Sequence, residues 1–81
     1  MRVNVRLFAR LSDIVGSAEI PFETMQGATL VDVWQALVRE YPALAPYTRA
    51  ISAARNADYA PMTTALSEGD EVAFLPPVSG G

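Results

Sequence analysis

The sequence predicts an α+β domain in which one main helix packs on one face of a mixed β-sheet. Three observations predict this class. Several short segments alternate between apolar and polar residues, as half-buried strands do. One longer segment instead places its apolar residues at helical spacing. The length of 81 residues, of which 51% are apolar and 19% are charged, fits one small domain with a hydrophobic core.

Two strands separated by a helical turn are predicted near the start of the chain. Residues 2–8 alternate in polarity, which indicates a strand with one buried face. The apolar spacing changes over residues 9–15, where we expect a helical turn that ends at Gly16. Alternation resumes over residues 18–23 and predicts a second strand. Pro21 has no backbone N–H to donate, which favours an edge position for that strand.

The clearest element is a helix predicted over residues 30–40. Its apolar residues recur at helical spacing and form one wide stripe: Leu30, Val33, Trp34, Leu37, Val38 and Tyr41. Thr29, followed three residues later by Asp32, has the form of a capping box at the start of the helix. Pro42 disfavours helical geometry at the residue before it and therefore marks the end. We expect the two aromatic members of the stripe to lie in the core.

Structural signals are weaker over residues 42–66. A candidate strand over residues 50–55 runs into a predicted turn at residues 56–58. A strong turn signal at residues 67–70 precedes a final strand over residues 71–75. The simplest return of the chain places this last strand beside the first and parallel to it. This order of elements describes a β-grasp, the ubiquitin-like architecture.

The composition excludes several classes of function. The chain has no Cys and no His, so it lacks the side chains of Ser-His triads, cysteine nucleophiles, zinc fingers, haem sites and iron–sulfur sites. All six basic residues are arginines and the net charge is −3, which disfavours nucleic acid as a partner. No export signal and no segment long enough to cross a bilayer is evident, so we expect a cytoplasmic protein.

The last six residues, Pro76-Pro77-Val78-Ser79-Gly80-Gly81, are the most informative part of the sequence. The two prolines end the last strand and favour an extended direction, and the two glycines have no side chain. We expect a folded domain over residues 1–76 and a flexible tail over residues 77–81. Extended residues of this number reach about 20 Å beyond the sheet and end in a carboxylate. Such a tail can enter a narrow channel in a partner, and a frayed end without function is the alternative.

The chain resembles the small subunits of molybdopterin synthase (MoaD), a family of ubiquitin-like sulfur carriers. The resemblance rests on the ending that begins at Gly69 and includes Pro-Pro-Val-Ser-Gly-Gly, on Leu7-Phe8-Ala9-Arg10 and on the length. It implies that Gly81, preceded by Gly80, is adenylated and then converted to a thiocarboxylate. This group would donate the sulfur for the dithiolene of the molybdenum cofactor. The chain would be the sulfur-donating subunit of a sulfurtransferase complex, without enzymatic activity of its own.

The resemblance also implies three kinds of partner. The first is the large subunit of molybdopterin synthase, into which the C-terminus inserts, with a heterotetramer expected. The second is an adenylating enzyme related to those that charge ubiquitin, and the third is a sulfur donor system. Adenylation uses ATP with Mg²⁺, which belong to the activating partner, and we expect this chain to bind no cofactor tightly.

The sheet face that the helix leaves uncovered is the predicted surface for partner binding. Phe8 and Leu75 are apolar at positions where the alternation points outward, which makes them candidate anchors. The resemblance adds Tyr59, which matches an apolar position that the family uses in this contact. Ordinary packing against a loop is the alternative for each of the three. The tail residues Pro76, Pro77, Val78 and Ser79 complete the predicted partner-binding set.

One feature departs from the family's pattern. Members commonly have an apolar residue before the asparagine of the predicted turn, whereas this chain has Arg55 before Asn56. Pro61 then follows where a strand would continue. We therefore expect a short fourth strand.

Three alternative functions remain open from the sequence. A sulfur carrier of this type can serve another pathway, such as formation of the thiamin thiazole, tRNA thiolation or cysteine synthesis. A ubiquitin-like protein modifier would instead join Gly81 to lysines of target proteins. A plain interaction domain would have a tail that is never activated.

Overall fold

A computed structural model describes residues 1–77, which form a mixed sheet with a helix packed against one face. Its elements are β1 (Arg2–Leu7), α1 (Arg10–Val15), β2 (Glu19–Glu23), α2 (Leu30–Glu40), a 3₁₀ helix (Pro42–Tyr47), β3 (Ser52–Arg55), β4 (Asp58–Tyr59) and β5 (Glu71–Leu75). The order of strands in the sheet is β2-β1-β5-β3-β4.

The strand pairing confirms the predicted β-grasp topology. β1 and β2 form an antiparallel pair, and β5 returns beside β1 in the parallel direction, with Leu7 opposite Phe74. β3 lies antiparallel on the other side of β5, where Ser52 is opposite Leu75. β2 is an edge strand, as the presence of Pro21 predicts.

Helix α2 supplies most of the helical contribution to the core. Thr29 and Asp32 form the predicted capping box, in which the Thr29 N–H donates to Asp32 Oδ2 at 2.9 Å. Trp34 is fully buried, and its ring centroid lies 5.1 Å from that of Phe74 on β5. Complete burial of a large apolar side chain contributes about 2–3 kcal/mol. Tyr41 is only partly buried at the edge of this core.

The first strand ends at Leu7, one residue earlier than predicted. The carbonyl of Phe8 already accepts a hydrogen bond from the Leu11 N–H at 3.1 Å, so the chain has turned towards α1. Ala9 makes this turn with a φ of 52°, a conformation that is unfavourable for a residue with a Cβ atom. Gly16 ends α1 in the left-handed conformation, as predicted.

The segment after α2 differs from the prediction. The strand expected from residue 50 begins at Ser52, because the N–H groups of Ala50 and Ile51 both donate to Tyr47 at the end of the 3₁₀ helix. β4 has two residues and confirms the expected short strand. Its pairing ends at Pro61, which has no N–H, one residue after Ala60 donates to β3.

The helices that the structure describes are too short and too polar to cross a lipid bilayer.

Candidate functional site

The face of the sheet opposite α2 carries the predicted anchor residues together. Phe8 and Tyr59 are 38% and 76% exposed, and Leu75 is half-buried. A shallow cavity of about 230 Å³ lies among them. We call its lining the open face, which comprises Arg6, Phe8, Ala54, Ala57, Tyr59, Glu71, Ala73 and Leu75.

The open face exists because the two strand faces alternate strictly in β1 and β5. Val72 and Phe74 point into the core, so Ala73 and Leu75 point away from it. Tyr59 reaches the same surface because it is paired with Ala54, which in turn is paired with Ala73. The sequence prediction that Phe8 and Leu75 share an outward surface therefore agrees with their positions, and their role in binding stays a prediction.

Two charged side chains border the open face and interact with each other. Arg6 Nη1 lies 3.8 Å from Glu71 Oε1, and both side chains are almost half exposed. The guanidinium carbon of Arg6 also lies 5.5 Å from the centroid of the Phe8 ring, within cation–π distance. Exposed pairs of this kind contribute about 0.5 kcal/mol to stability. Their main effect is to place one positive and one negative group beside the apolar surface.

The turn between β3 and β4 forms one wall of the open face and has an unusual backbone. Asn56 and Ala57 both have positive φ angles, of 50° and 73°. Asparagine tolerates this left-handed conformation, whereas the Cβ atom of alanine makes it unfavourable by about 1 kcal/mol. The Asn56 N–H donates to the Glu71 carbonyl at 2.8 Å, and the Glu71 N–H donates to Asn56 Oδ1 at 2.9 Å. These bonds attach the turn to β5.

A buried carboxylate, that of Asp70, makes hydrogen bonds that stabilise the turn between β3 and β4. Asp70 is 7% exposed and accepts hydrogen bonds from Arg55 Nε at 2.6 Å and from the Ser67 N–H at 2.7 Å. Asn56 Nδ2 also donates to it, at 3.1 Å. The hydrogen bond from Arg55 has the largest effect on the carboxyl of Asp70 and lowers its pKa, while burial acts in the opposite direction.

Sequence reasoning missed this polar cluster. It interpreted Arg55 only as a departure from the family's pattern, whereas the structure gives Arg55 a partner in Asp70. The available signal was the turn at residues 67–70, in which Asp70 follows Ser67 by three positions, the spacing at which a carboxylate can accept a hydrogen bond from the earlier backbone N–H. The pairing of that aspartate with a distant arginine had no local signal.

The chain leaves the sheet beside the open face. β5 ends at Leu75, whose neighbour on β3 is Ser52. Pro76 is half-buried and Pro77 is exposed. The predicted site residues Val78, Ser79, Gly80 and Gly81 lie outside the residues that the structure describes. Within residues 1–77, no group of three or more acidic side chains is placed to hold a metal ion.

A sequence profile of the ThiS family matches residues 5–81. The chain belongs to this family of ubiquitin-like sulfur carriers. The expectation from the resemblance, both for the family and for the β-grasp fold, is therefore confirmed.

Known proteins are similar to this chain over all or nearly all of its length. The molybdopterin synthase sulfur carrier subunit of Chlamydomonas reinhardtii is 36% identical, with all of both chains covered. Small archaeal modifier protein 1 of Haloferax volcanii is also 36% identical, over 94% of this chain and 97% of that protein. Its crystal structure superposes with a TM-score of 0.84 and covers all of both chains.

A third similar structure is that of a protein–protein complex. It contains subunits 1 and 2 of the molybdopterin-converting factor from Helicobacter pylori. The matched chain is 26% identical to this ThiS-family chain, covers 100% of both chains and superposes with a TM-score of 0.69.

The open face is not the most voluminous concavity of this ThiS-family chain. A groove of about 670 Å³ lies between the end of β2 and α2, where Met25 is 81% exposed. Glu23 on its border is paired with Arg2 at the start of β1, whereas Leu75 lies at the opposite end of the sheet. The larger groove therefore lies far from the point where the chain leaves the sheet, whereas the open face includes Leu75, the last residue of β5.

Proposed function

We propose that this chain is the sulfur carrier subunit of molybdopterin synthase. Gly81 is adenylated, becomes a thiocarboxylate and donates its sulfur to the dithiolene of molybdopterin. The observation that carries the proposal is the position of Leu75, which lies on the open face and leads directly into the Pro-Pro-Val-Ser-Gly-Gly ending. The C-terminal segment that carries the reactive group thus begins at the edge of the proposed docking surface. The sulfur carrier subunits among the relatives support this assignment.

The chemistry needs activation because a carboxylate is a poor electrophile. In the first step, a carboxylate oxygen of Gly81 attacks the α-phosphorus of ATP, and pyrophosphate leaves. In the second step, hydrosulfide (sulfide-level sulfur) delivered by a donor attacks the acyl carbon, and AMP leaves with the electrons of the broken C–O bond. The sulfur of the resulting thiocarboxylate attacks a carbon of the pterin precursor and displaces an oxygen group there. Water then cleaves the acyl C–S bond, which leaves the sulfur on the pterin and returns Gly81 as a carboxylate.

The partners supply the catalytic groups for these steps. The chain has no Cys or His to act as a nucleophile or as a general base. The activating enzyme would bind ATP and Mg²⁺, and a separate donor would bring the sulfur. The large subunit would bind the pterin precursor and provide the acid and base groups. ATP-dependent activation also supports the cytoplasm as the place of the reaction.

The geometry supports separate roles for the folded domain and for the tail in the complex. The side chains of Phe8, Tyr59 and Leu75 would anchor the folded domain, residues 1–76, on the large subunit. The tail, residues 77–81, would then enter a channel of that subunit. Pro76 and Pro77 have no backbone N–H for the sheet and hold φ near −65°, and the residues that follow have little bulk and would fit a narrow passage. The complex of subunits 1 and 2 from Helicobacter pylori supports assembly with a second subunit.

A reconstituted transfer reaction tests the pathway. We expect the thiocarboxylated chain to yield molybdopterin when it is mixed with the large subunit and the pterin precursor, in proportion to the sulfur supplied. A chain without Gly81 should give none while it unfolds at the same temperature as the full chain. Transfer by that truncated chain would refute the role of Gly81. Sulfur transfer to a thiazole synthase but not to the large subunit would show that the carrier serves another pathway.

Protein modification is the second candidate function, favoured by the similarity to small archaeal modifier protein 1. In that reaction, a lysine amine of a target attacks the activated carbonyl of Gly81 and an amide forms. Digestion of cellular protein would then leave a C-terminal remnant of this chain on target lysines. The molybdopterin proposal predicts no such remnant on target lysines in cells that contain the large subunit.

A further inference from the structure

The sequence contains no side chain that readily accepts an activated acyl group. All six basic residues are arginines, and the chain has neither Lys nor Cys. A guanidinium group stays protonated at neutral pH and has no free electron pair for attack, unlike a lysine amine. Hydroxyl groups are weak nucleophiles without a neighbouring base, and His is absent.

Two of the arginines lie where the chain leaves the sheet. Arg10 begins α1, three residues after Leu7, which is paired with Phe74. Arg49 precedes Ser52, the partner of Leu75, by three residues. Both side chains belong to exposed residues. The end of the sheet at which β5 leaves therefore carries two cationic side chains of a kind that cannot be acylated.

The amino group of Met1 is held at the other end of the sheet. It donates a hydrogen bond to the Thr24 carbonyl at 2.7 Å. Because β1 and β5 are parallel, Met1 lies about 20 Å along the sheet from the level of Leu7 and Phe74. Leu75 lies one residue farther along, at about 23 Å, and the six residues after it span at most about 21 Å when fully extended. The C-terminus of the same molecule cannot reach this amine.

We propose that this chain is built to be inert towards its own activated terminus. Arginine at positions 10 and 49 keeps positive charge near the exit without offering an acyl acceptor, and the fold holds the Met1 amine out of reach. The inference rests on the proposed activation of Gly81. The reaction that it avoids is attack of an amine nitrogen on the acyl carbon. An amide C–N bond forms, the bond to AMP or sulfur breaks, and the amine loses a proton.

A chemically prepared thioester tests this inference without the activating enzyme. The full chain is made with a C-terminal thioester at Gly81 by thiol cleavage of an intein fusion, as wild type and as the variants Arg49→Lys, Arg10→Lys and Arg2→Lys. Arg2 is the matched control, because it is exposed at the start of β1, far from the exit. Thermal unfolding of each variant checks that the fold is retained.

We expect capture of the acyl group only in the two variants near the exit. Their thioester should disappear about tenfold faster than that of Arg2→Lys, because a nearby amine acts at a high effective concentration. The product should be lighter than the hydrolysed chain by one water, and peptide mapping should locate an amide between Gly81 and the new lysine. The wild type and Arg2→Lys should only hydrolyse.

Two results would overturn the inference. One is hydrolysis of Arg49→Lys and Arg10→Lys at the wild-type rate without an amide product. The other is an internal amide between Gly81 and Met1 in the wild type. Because the thioester is made chemically, either result is independent of whether the activating enzyme charges Gly81, so the proposed function can fail or succeed separately.

Discussion

The side chains of Arg55 and Asp70 form an ion pair that joins the turn between β3 and β4 to the turn that precedes β5. Arg55 Nε lies 2.6 Å from Asp70 Oδ2, and the carboxylate is almost completely buried. The first turn leads to Tyr59 on β4, and the second leads into β5 and Leu75. The pair therefore stabilises the relative position of two residues of the open face, although neither charged residue belongs to that face.

Removal of the Asp70 carboxylate should destabilise the fold. The variant Asp70→Ala leaves the Ser67 N–H and Asn56 Nδ2 without their buried acceptor and Arg55 without its counter-charge. We expect the free energy of unfolding to fall by about 2–3 kcal/mol, as measured by urea denaturation. A loss within the error of wild type would show that the cluster does not hold the two turns.

The same carboxylate should make stability depend on acid pH. The pKa of Asp70 is lowered in the folded state, mainly by Arg55. Its stabilisation is therefore complete above the unfolded-state pKa of about 3.9 and is lost as the pH falls through the lower folded-state pKa. The difference in unfolding free energy between wild type and Asp70→Asn should shrink as the pH is lowered below about 3.9. A constant difference over this range would contradict the assignment.

Replacement of Ala57 by glycine should stabilise the protein. With a φ of 73°, Ala57 occupies a conformation that glycine adopts without penalty. We expect Ala57→Gly to raise the free energy of unfolding by about 0.5–1 kcal/mol in urea denaturation. The matched control is Ala36→Gly inside α2, where the same change should lower stability by about 1 kcal/mol. Changes of the same sign at both positions would refute the backbone explanation.

Truncation of Tyr59 should weaken binding to the large subunit of molybdopterin synthase. The side chain is exposed in the isolated chain, so its removal should have little effect on folding. If it enters the interface as an anchor, Tyr59→Ala should raise the Kd about tenfold in calorimetric titration. Met25→Ala, which removes an exposed apolar side chain at the opposite end of the sheet, should leave the Kd unchanged. Equal changes in Kd for the two variants would refute the assignment of the open face as the docking site.

Local patterns were sufficient to predict the regular elements. The apolar stripe and the capping box gave α2 its residues 30–40, and the alternation in β5 placed Phe74 inward and Leu75 outward. These predictions depend on residues that are close in sequence, and the side-chain periods of helix and strand differ clearly. The parallel pairing of β1 with β5 then followed from the order of the elements.

Features that depend on distant residues or on backbone conformation could not be predicted. Arg55 and Asp70 meet only because β3 and β5 are neighbours in the sheet. The left-handed conformation of Ala57 has no sequence signal, since glycine is the residue that usually marks it. The 3₁₀ helix was missed because the segment between Pro42 and Pro46 has no helical apolar period. The small side chains of the open face likewise form no recognisable motif.

The intact mass of the chain after charging tests the central claim most directly. The purified chain is incubated with its adenylating enzyme, ATP, Mg²⁺ and a sulfur donor, and its mass is compared with that of a chain lacking Gly81. The account predicts a gain equal to the replacement of one oxygen by sulfur, located at Gly81 by fragmentation and absent from the truncated chain. An unchanged mass, with the adenylating enzyme shown to charge another carrier in the same mixture, would contradict it.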